Sequence, residues 1–199
     1  IKAGLALGIL EEDITYDEIS FFHQLLQEYF AARALIEKPD FDLVQVEWHI
    51  DRVKPSLLEV IENIASSDPL PVLPSTGWEE TFILAATMSA NINDFIKSLI
   101  EANLPLAARC ASLPNIKISD LLRTEICQSL ISRIENNKAD LRARIAAGFA
   151  LGKIGDPRFN RYHGSYGDFL LPPMIDIEGG TYSIGNEDGK GLYEDEAPI

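Results

Sequence analysis

Between Pro55 and Gly155 the apolar residues of this chain recur at steps of three and four and never alternate. Phe82, Ile83 and Ala86 form one such set, and Phe95, Ile96, Leu99 and Ile100 a second. Leu121, Leu122, Ile126, Leu130 and Ile134 form a third, and Ile145, Phe149 and Ile154 a fourth. At 3.6 residues per turn each set falls on one stripe of a helix, so the stretch predicts a row of short amphipathic helices. Their starts are marked. Ser56-Leu57-Leu58-Glu59 has the pattern of a capping box, in which the serine accepts from the third amide and the glutamate reaches back. Thr76-Gly77-Trp78-Glu79 repeats that logic after the proline-rich break Asp68 to Pro74, and Asn93-Asp94, Pro105, Ser119-Asp120 and Asp140 give further start signals.

Two small-residue segments, Ala107-Ala108-Arg109-Cys110-Ala111 and Ala146-Ala147-Gly148-Phe149-Ala150, lie thirty-nine residues apart. Small side chains allow close helix approach, and a period near forty is that of helix-pair arrays. The flanks have a different texture. Ile14, Tyr16, Ile19, Phe21 and Phe22 sit among Asp and Glu over Glu11 to Phe22, which reads as a short hairpin with a polar tip. A helix is expected from His23 to Ile36, with Phe22, Leu25, Leu26, Tyr29, Phe30, Ala34 and Ile36 as its core face and Pro39 as its stop. Near the other end, Met174, Ile175 and Ile177, then Tyr182 and Ile184, flank Gly179-Gly180, a hairpin signal. The chain opens on Ile1 and closes on Glu194-Asp195-Glu196-Ala197-Pro198-Ile199, which suggests an internal piece of a longer protein.

Charge narrows the partners. Seventeen basic against thirty-one acidic residues among 199 give a net charge of −14, which repels phosphate backbones and argues against nucleic acid. From Gly164 onward there are eight acids against Lys190 alone. Leu141 to His163 carries Arg142, Arg144, Lys153, Arg158 and Arg161 against Asp156. These read as a solvated basic helix face followed by an acidic loop, with contact between the two as the sharper alternative. No apolar run reaches the roughly eighteen residues needed to cross a bilayer. Cys110 and Cys127 fall on helical patterns outside any metal-spaced cluster, and are expected to be buried, reduced thiols of a cytoplasmic protein.

Few residues offer chemistry. Gly185 to Gly191 has glycines and Lys190, but the spacing differs from a phosphate loop, no Ser or Thr follows the lysine, and acids lie within it. His49 and His163 lack partners at ligand spacing, and Glu11-Glu12-Asp13 reads as a solvated tip. His23 stands apart by position. It lies where a strand hands over to a helix, and helix N-termini favour anions through unsatisfied amides and the dipole.

Phe21-Phe22-His23-Gln24-Leu25-Leu26-Gln27-Glu28-Tyr29-Phe30-Ala31-Ala32 resembles the end of the winged-helix region in NACHT-type signalling NTPases, the group of NOD-like receptors and their bacterial relatives. The resemblance implies that His23 contacts the β-phosphate of bound ADP and helps hold the inactive state. The phosphate loop and magnesium acid would then lie upstream of Ile1. Leu141 to Phe159 resembles a HEAT-type repeat. Leu171-Pro-Pro-Met-Ile-Asp-Ile-Glu-Gly-Gly-Thr-Tyr-Ser-Ile-Gly185, with Asp195-Glu196-Ala197-Pro198, is similar to the opening of formylglycine-generating, or sulfatase-modifying-factor, domains, with Glu178 and Ile184 as departures. The catalytic cysteines of those enzymes would lie past Ile199.

The expected fold is therefore mainly α, with a winged-helix remnant leading into an α-α superhelical, HEAT-like array. A C-terminal β-hairpin would open an incomplete α+β, C-type-lectin-like domain. The expected layout is a winged-helix end over 1–38, connecting helices over 39–75, helical repeats over 76–160, a linker over 161–170, and the start of a formylglycine-generating-enzyme-like domain over 171–199. The implied function is a non-catalytic regulatory scaffold of a nucleotide-switched NTPase. ATP or ADP with Mg would be bound by the full-length protein. Its partners would be its own upstream NTPase domain, a downstream sensor domain and, on activation, further copies of itself, with no membrane or nucleic acid. The alternatives are the regulatory part of a formylglycine-generating oxidase and a plain helical-repeat module that binds a partner protein.

Overall fold

The computed structural model describes residues 1–65 and 67–182 of the chain. It divides into two units, Ile1–Pro157 and Arg158 onward. The first unit opens with α1 (Lys2–Ala6) and an antiparallel hairpin of β1 (Leu10–Asp13) and β2 (Glu18–Phe21), in register from Leu10↔Phe21 to Asp13↔Glu18. At its tip the Asp13 carboxylate accepts from the Thr15 amide at 2.9 Å, a local side-chain bond of the kind that makes Asp a turn former. This is the hairpin expected over Glu11 to Phe22.

The helices are α2 (Gln24–Glu37), α3 (Leu57–Asn63), α4 (Glu79–Met88), α5 (Ile92–Ala102), α6 (Leu104–Ala111), α7 (Asp120–Glu135) and α8 (Leu141–Ile154), with a 3-10 turn at Phe41–Val44. The chain is mainly helical, as its periodicity predicts. Most starts are where the sequence marks them. Ser56 and Glu59 form the full reciprocal capping box, and Ser119 and Asp140 cap α7 and α8 through Leu122 and Arg142 amides. At α4 only half of the box forms. Glu79 accepts from the Thr76 and Gly77 amides at 2.8 and 2.9 Å, but Gly77 takes a positive φ of 85°. Trp78 becomes the N-cap, with no side-chain cap of its own.

Alternate helices stack in two rows. α2, α4, α6 and α8 follow one another in one row, α5 meets α7 in the other, and α6 touches α4, α5, α7 and α8. α6 can do so because Ala107, Ala108 and Ala111 are buried with nothing beyond Cβ, and they share a small-residue seam of the core with Ala147 and Ala150 of α8. Phe41 packs against Phe82 and Phe95 with ring centroids 5.8 and 5.3 Å away, closing the first end of the core. The segment after it runs without regular structure but is stitched down. The Val46 amide donates to Ala102 O at 3.2 Å, Ile50 to Lys138 O at 2.9 Å, and the Asp140 amide to Trp48 O at 2.9 Å.

Two expectations fail in this unit. The stripe from Phe22 to Ile36 is a core face only at its end, where Ile36 packs against the core. Ala32 and Leu35 are the buried residues of α2, while Phe22, Leu25, Tyr29 and Phe30 remain exposed, at 62, 55, 38 and 44%. α2 packs against α4 through its buried side, and on its other side Phe30 stacks on Phe21 of β2 with ring centroids 5.7 Å apart. Arg142, expected on a solvated face, is 3% exposed. It turns back onto Asp140 instead.

In the second unit the residues expected as a linker, 161–170, are a hairpin of β3 (Asn160–Gly164) and β4 (Gly167–Leu171). Tyr162 and Phe169 stack at 5.9 Å across the strands, a cross-strand pair of the kind that holds a ribbon together. Residues 172–182 contain no strand, so the hairpin expected around Gly179-Gly180 is not seen on the described side. Ile184 and the glycine-rich loop 185–191 lie outside the described residues, as do the acids from Glu187 onward.

Enlarging the α6 seam should be costly: Ala108→Leu is expected to lose about 1–3 kcal/mol in urea unfolding. Leu121→Ala, at a side chain 81% exposed, should stay within about 0.5 kcal/mol of the parent.

Candidate functional site

His23 sits between the end of β2 and the first turn of α2, with φ −136° and ψ 130°, the extended backbone of an N-cap. The usual caps carry oxygen, yet here the imidazole takes the role. Its Nδ1 accepts from the Leu25 amide at 3.1 Å. Accepting at Nδ1 places the ring proton on Nε2 in the neutral imidazole. The ring therefore has one nitrogen satisfied by its own helix and a second able to donate outward. The His23 side chain is exposed, so it is not a packed core residue.

The surroundings follow from the hairpin. The Phe22 amide donates to Ile9 O at 3.0 Å, which fixes the handover from strand to helix. Gln24 Nε2 donates to Glu28 Oε1 at 2.8 Å along the first turn. The Leu25 amide, one of those an anion would otherwise meet at a helix start, is already occupied by the imidazole. An anion at this end would meet Nε2–H in its place.

The remaining histidines and both cysteines are placed for structure. His49 Nδ1 accepts from the Asp51 amide at 3.4 Å, and His163 Nδ1 lies 2.6 Å from Asp168 Oδ1 on the β3–β4 ribbon. Cys110 and Cys127 are free and buried, as expected. Burial pushes the Cys110 thiol up to about 12 and raises that of Cys127, so neither is a thiolate near neutral pH. Among the described residues no three His, Cys, Asp or Glu side chains are grouped to hold a metal ion. A groove of about 460 Å³ runs along Phe41, Asp42, Gln45, Lys97, Ser98, Glu101 and Ala102 and does not include His23.

Sequence reading marked Asp140 only as a helix start and missed its partner. Arg142 Nε and Nη2 donate to the two Asp140 oxygens at 2.9 Å each, and Nη2 also donates to Pro55 O at 2.7 Å. These bonds join the start of α8 to the turn before α3. The Arg142 hydrogen bonds hold the Asp140 carboxyl below its ordinary range, and the same pairing raises Arg142. Nearby, the Arg133 guanidinium lies 3.7 Å from the Trp48 ring centroid, and burial lowers Arg133 to about 10. An acid two residues before an arginine at a helix start is the only sequence signal for the pair.

No family model matches the chain, no curated protein matches it, and no solved structure matches it.

Cys110 should resist alkylation at neutral pH in the folded protein and react on unfolding, as followed by mass spectrometry. Asp140→Ala leaves a buried guanidinium unpaired and should cost about 3 kcal/mol or more in chemical denaturation. Because the folded Asp140 carboxyl is depressed, its contribution is present in full above the unfolded value of about 3.9. It is lost as pH falls through the folded value, so the gap between parent and Asp140→Ala should narrow in acid.

Proposed function

We propose that this chain is the regulatory arm of a NACHT-type signalling NTPase, in which His23 reads the phosphates of bound ADP. The observation that carries the reading is the His23 imidazole itself. Its cap to Leu25 fixes one nitrogen and leaves Nε2–H as a directed donor at the mouth of a helix. The pattern Phe21 to Ala32 around it supports the family reading. In this reading the phosphate loop and magnesium ligand come from a nucleotide-binding module N-terminal to Ile1. The stacked helices carry the nucleotide state toward a sensor domain that begins near Leu171. The arm works as a lever and performs no catalysis of its own.

A hydrogen bond from His23 to a phosphate oxygen would favour the ADP state by about 1–3 kcal/mol. A ligand at the sensor end shifts the switch only if it binds the two arm orientations with different affinity. The test uses the intact protein. His23→Leu should reduce co-purified ADP about fivefold or more and raise basal activity. His23→Asn, which can keep the cap through its side-chain oxygen, separates loss of the phosphate donor from loss of the helix start. Unchanged ADP content in both variants would refute the role.

A further inference from the structure

Arg133 is a half-buried cation without a counter-charge. Its guanidinium lies over the Trp48 ring, 3.7 Å from the centroid, and a cation–π contact gives none of its N–H donors an acceptor oxygen. Among the described residues Arg133 makes no hydrogen bond and no ion pair. Glu101 borders a small enclosed cavity together with Arg133 but forms no ion pair with it. Arg142 shows the usual solution, with both Asp140 oxygens and Pro55 O as acceptors. Withdrawing a cation from water is offset only by such partners, so Arg133 holds its donors in reserve for an acceptor from outside.

Arg133 borders a groove of about 410 Å³ whose apolar wall is Trp48, Ile100 and Leu104. The polar wall is one side of α7, where Glu125, Gln128, Ser129 and Ser132 recur at steps of three and four. The side chains of Gln128, Ser129 and Ser132 form no hydrogen bond among the described residues. Glu125 and Arg133 put opposite charges about 12 Å apart along the helix axis, at roughly 1.5 Å per residue.

We propose that this groove binds the C-terminal end of a peptide, with the free carboxylate gripped by Arg133. A planar guanidinium matches a carboxylate through two parallel N–H bonds. A phosphate dianion fits worse, because the groove offers it one cation, sets Glu125 against it and belongs to a chain of net charge −14. The apolar wall receives an apolar last side chain, and the amide and hydroxyls of Gln128, Ser129 and Ser132 meet the peptide groups. An extended chain covers roughly 3.3–3.6 Å per residue, so Glu125 lies level with a residue about three to four positions before the end. A lysine or arginine there completes the match. The groove does not include His23, and the proposal is independent of the nucleotide role.

The test is fluorescence anisotropy on the 199-residue chain at about 150 mM salt, with fluorescein-Gly-Ala-Lys-Ala-Ala-Leu as the probe. The free acid should bind with Kd below about 1 mM, about tenfold or more tighter than the same peptide as its C-terminal amide. N-acetyl-leucine should compete about tenfold more weakly than the unlabelled peptide. Arg133→Gln should abolish the preference for acid over amide. Glu125→Gln should weaken the lysine peptide about two- to fivefold and leave a peptide with alanine in place of lysine unchanged. Circular dichroism establishes that each variant keeps the parental helix content. Glu125 is exposed, so its arm and the acid–amide comparison decide the matter if Arg133→Gln does not fold. Acid and amide binding alike, or a preference that persists in folded Arg133→Gln, would overturn the proposal. So would equal effects of Glu125→Gln on the two peptides, or N-acetyl-leucine competing as well as the whole peptide, which marks a site for small carboxylates instead.

Discussion

The close approach permitted by three alanines on α6 is the constraint on which the first unit depends. Ala107, Ala108 and Ala111 are buried to within 1%, and no larger side chain would let one short helix touch α4, α5, α7 and α8 together. Cys110 fills the remaining space as a small apolar group, which is why its thiol is so strongly discouraged from ionising. Around that hub the longer side chains, Phe82, Ile96, Leu99, Ile126, Leu130 and Leu151, complete the core. The rows of helices then extend outward to α2, against which Phe21 of β2 stacks through Phe30, and to α8.

The buried Asp140–Arg142 pair does a different job from the hub. It spends both carboxylate oxygens on one guanidinium, whose Nη2 also donates to Pro55 O, 87 residues away in sequence. Pairs of this kind contribute less net stability than an apolar replacement could, but breaking one is costly. Here the pair also sets where α8 begins, since the same Asp140 Oδ1 accepts from the Arg142 amide. Position, more than stability, is what it supplies.

Local signals were legible and long-range ones were not. Ser56 and Glu59, Ser119 and Asp140 announce helix starts because a cap is completed within three residues. The hairpin before His23 was legible for the same reason. Periodicity named the apolar side chains of α2 correctly but could not say which of its two apolar sides has a partner. Ala32 and Leu35 gained one, and Phe22 and Leu25 did not. Arg142 was misread as solvated because its burial depends on Pro55, far away in sequence. The β3–β4 ribbon was taken for a linker, since Tyr162 and Phe169 reveal their pairing only once the turn at Ser165-Tyr166 brings the strands together. At the site, the position of His23 and the pattern from Phe21 to Ala32 around it were legible. What the sequence did not show is that its ring closes the helix with one nitrogen.

That division of labour between the two ring nitrogens is the central claim, because every functional role given to His23 uses the second one. Histidine-selective ¹⁵N–¹H correlation NMR on the neutral imidazole tests it directly. The account predicts a single tautomer, with Nε2 carrying the proton and Nδ1 showing the shift of an unprotonated, hydrogen-bonded nitrogen. A ring protonated on Nδ1, or two nitrogens averaging as in free histidine, would contradict it.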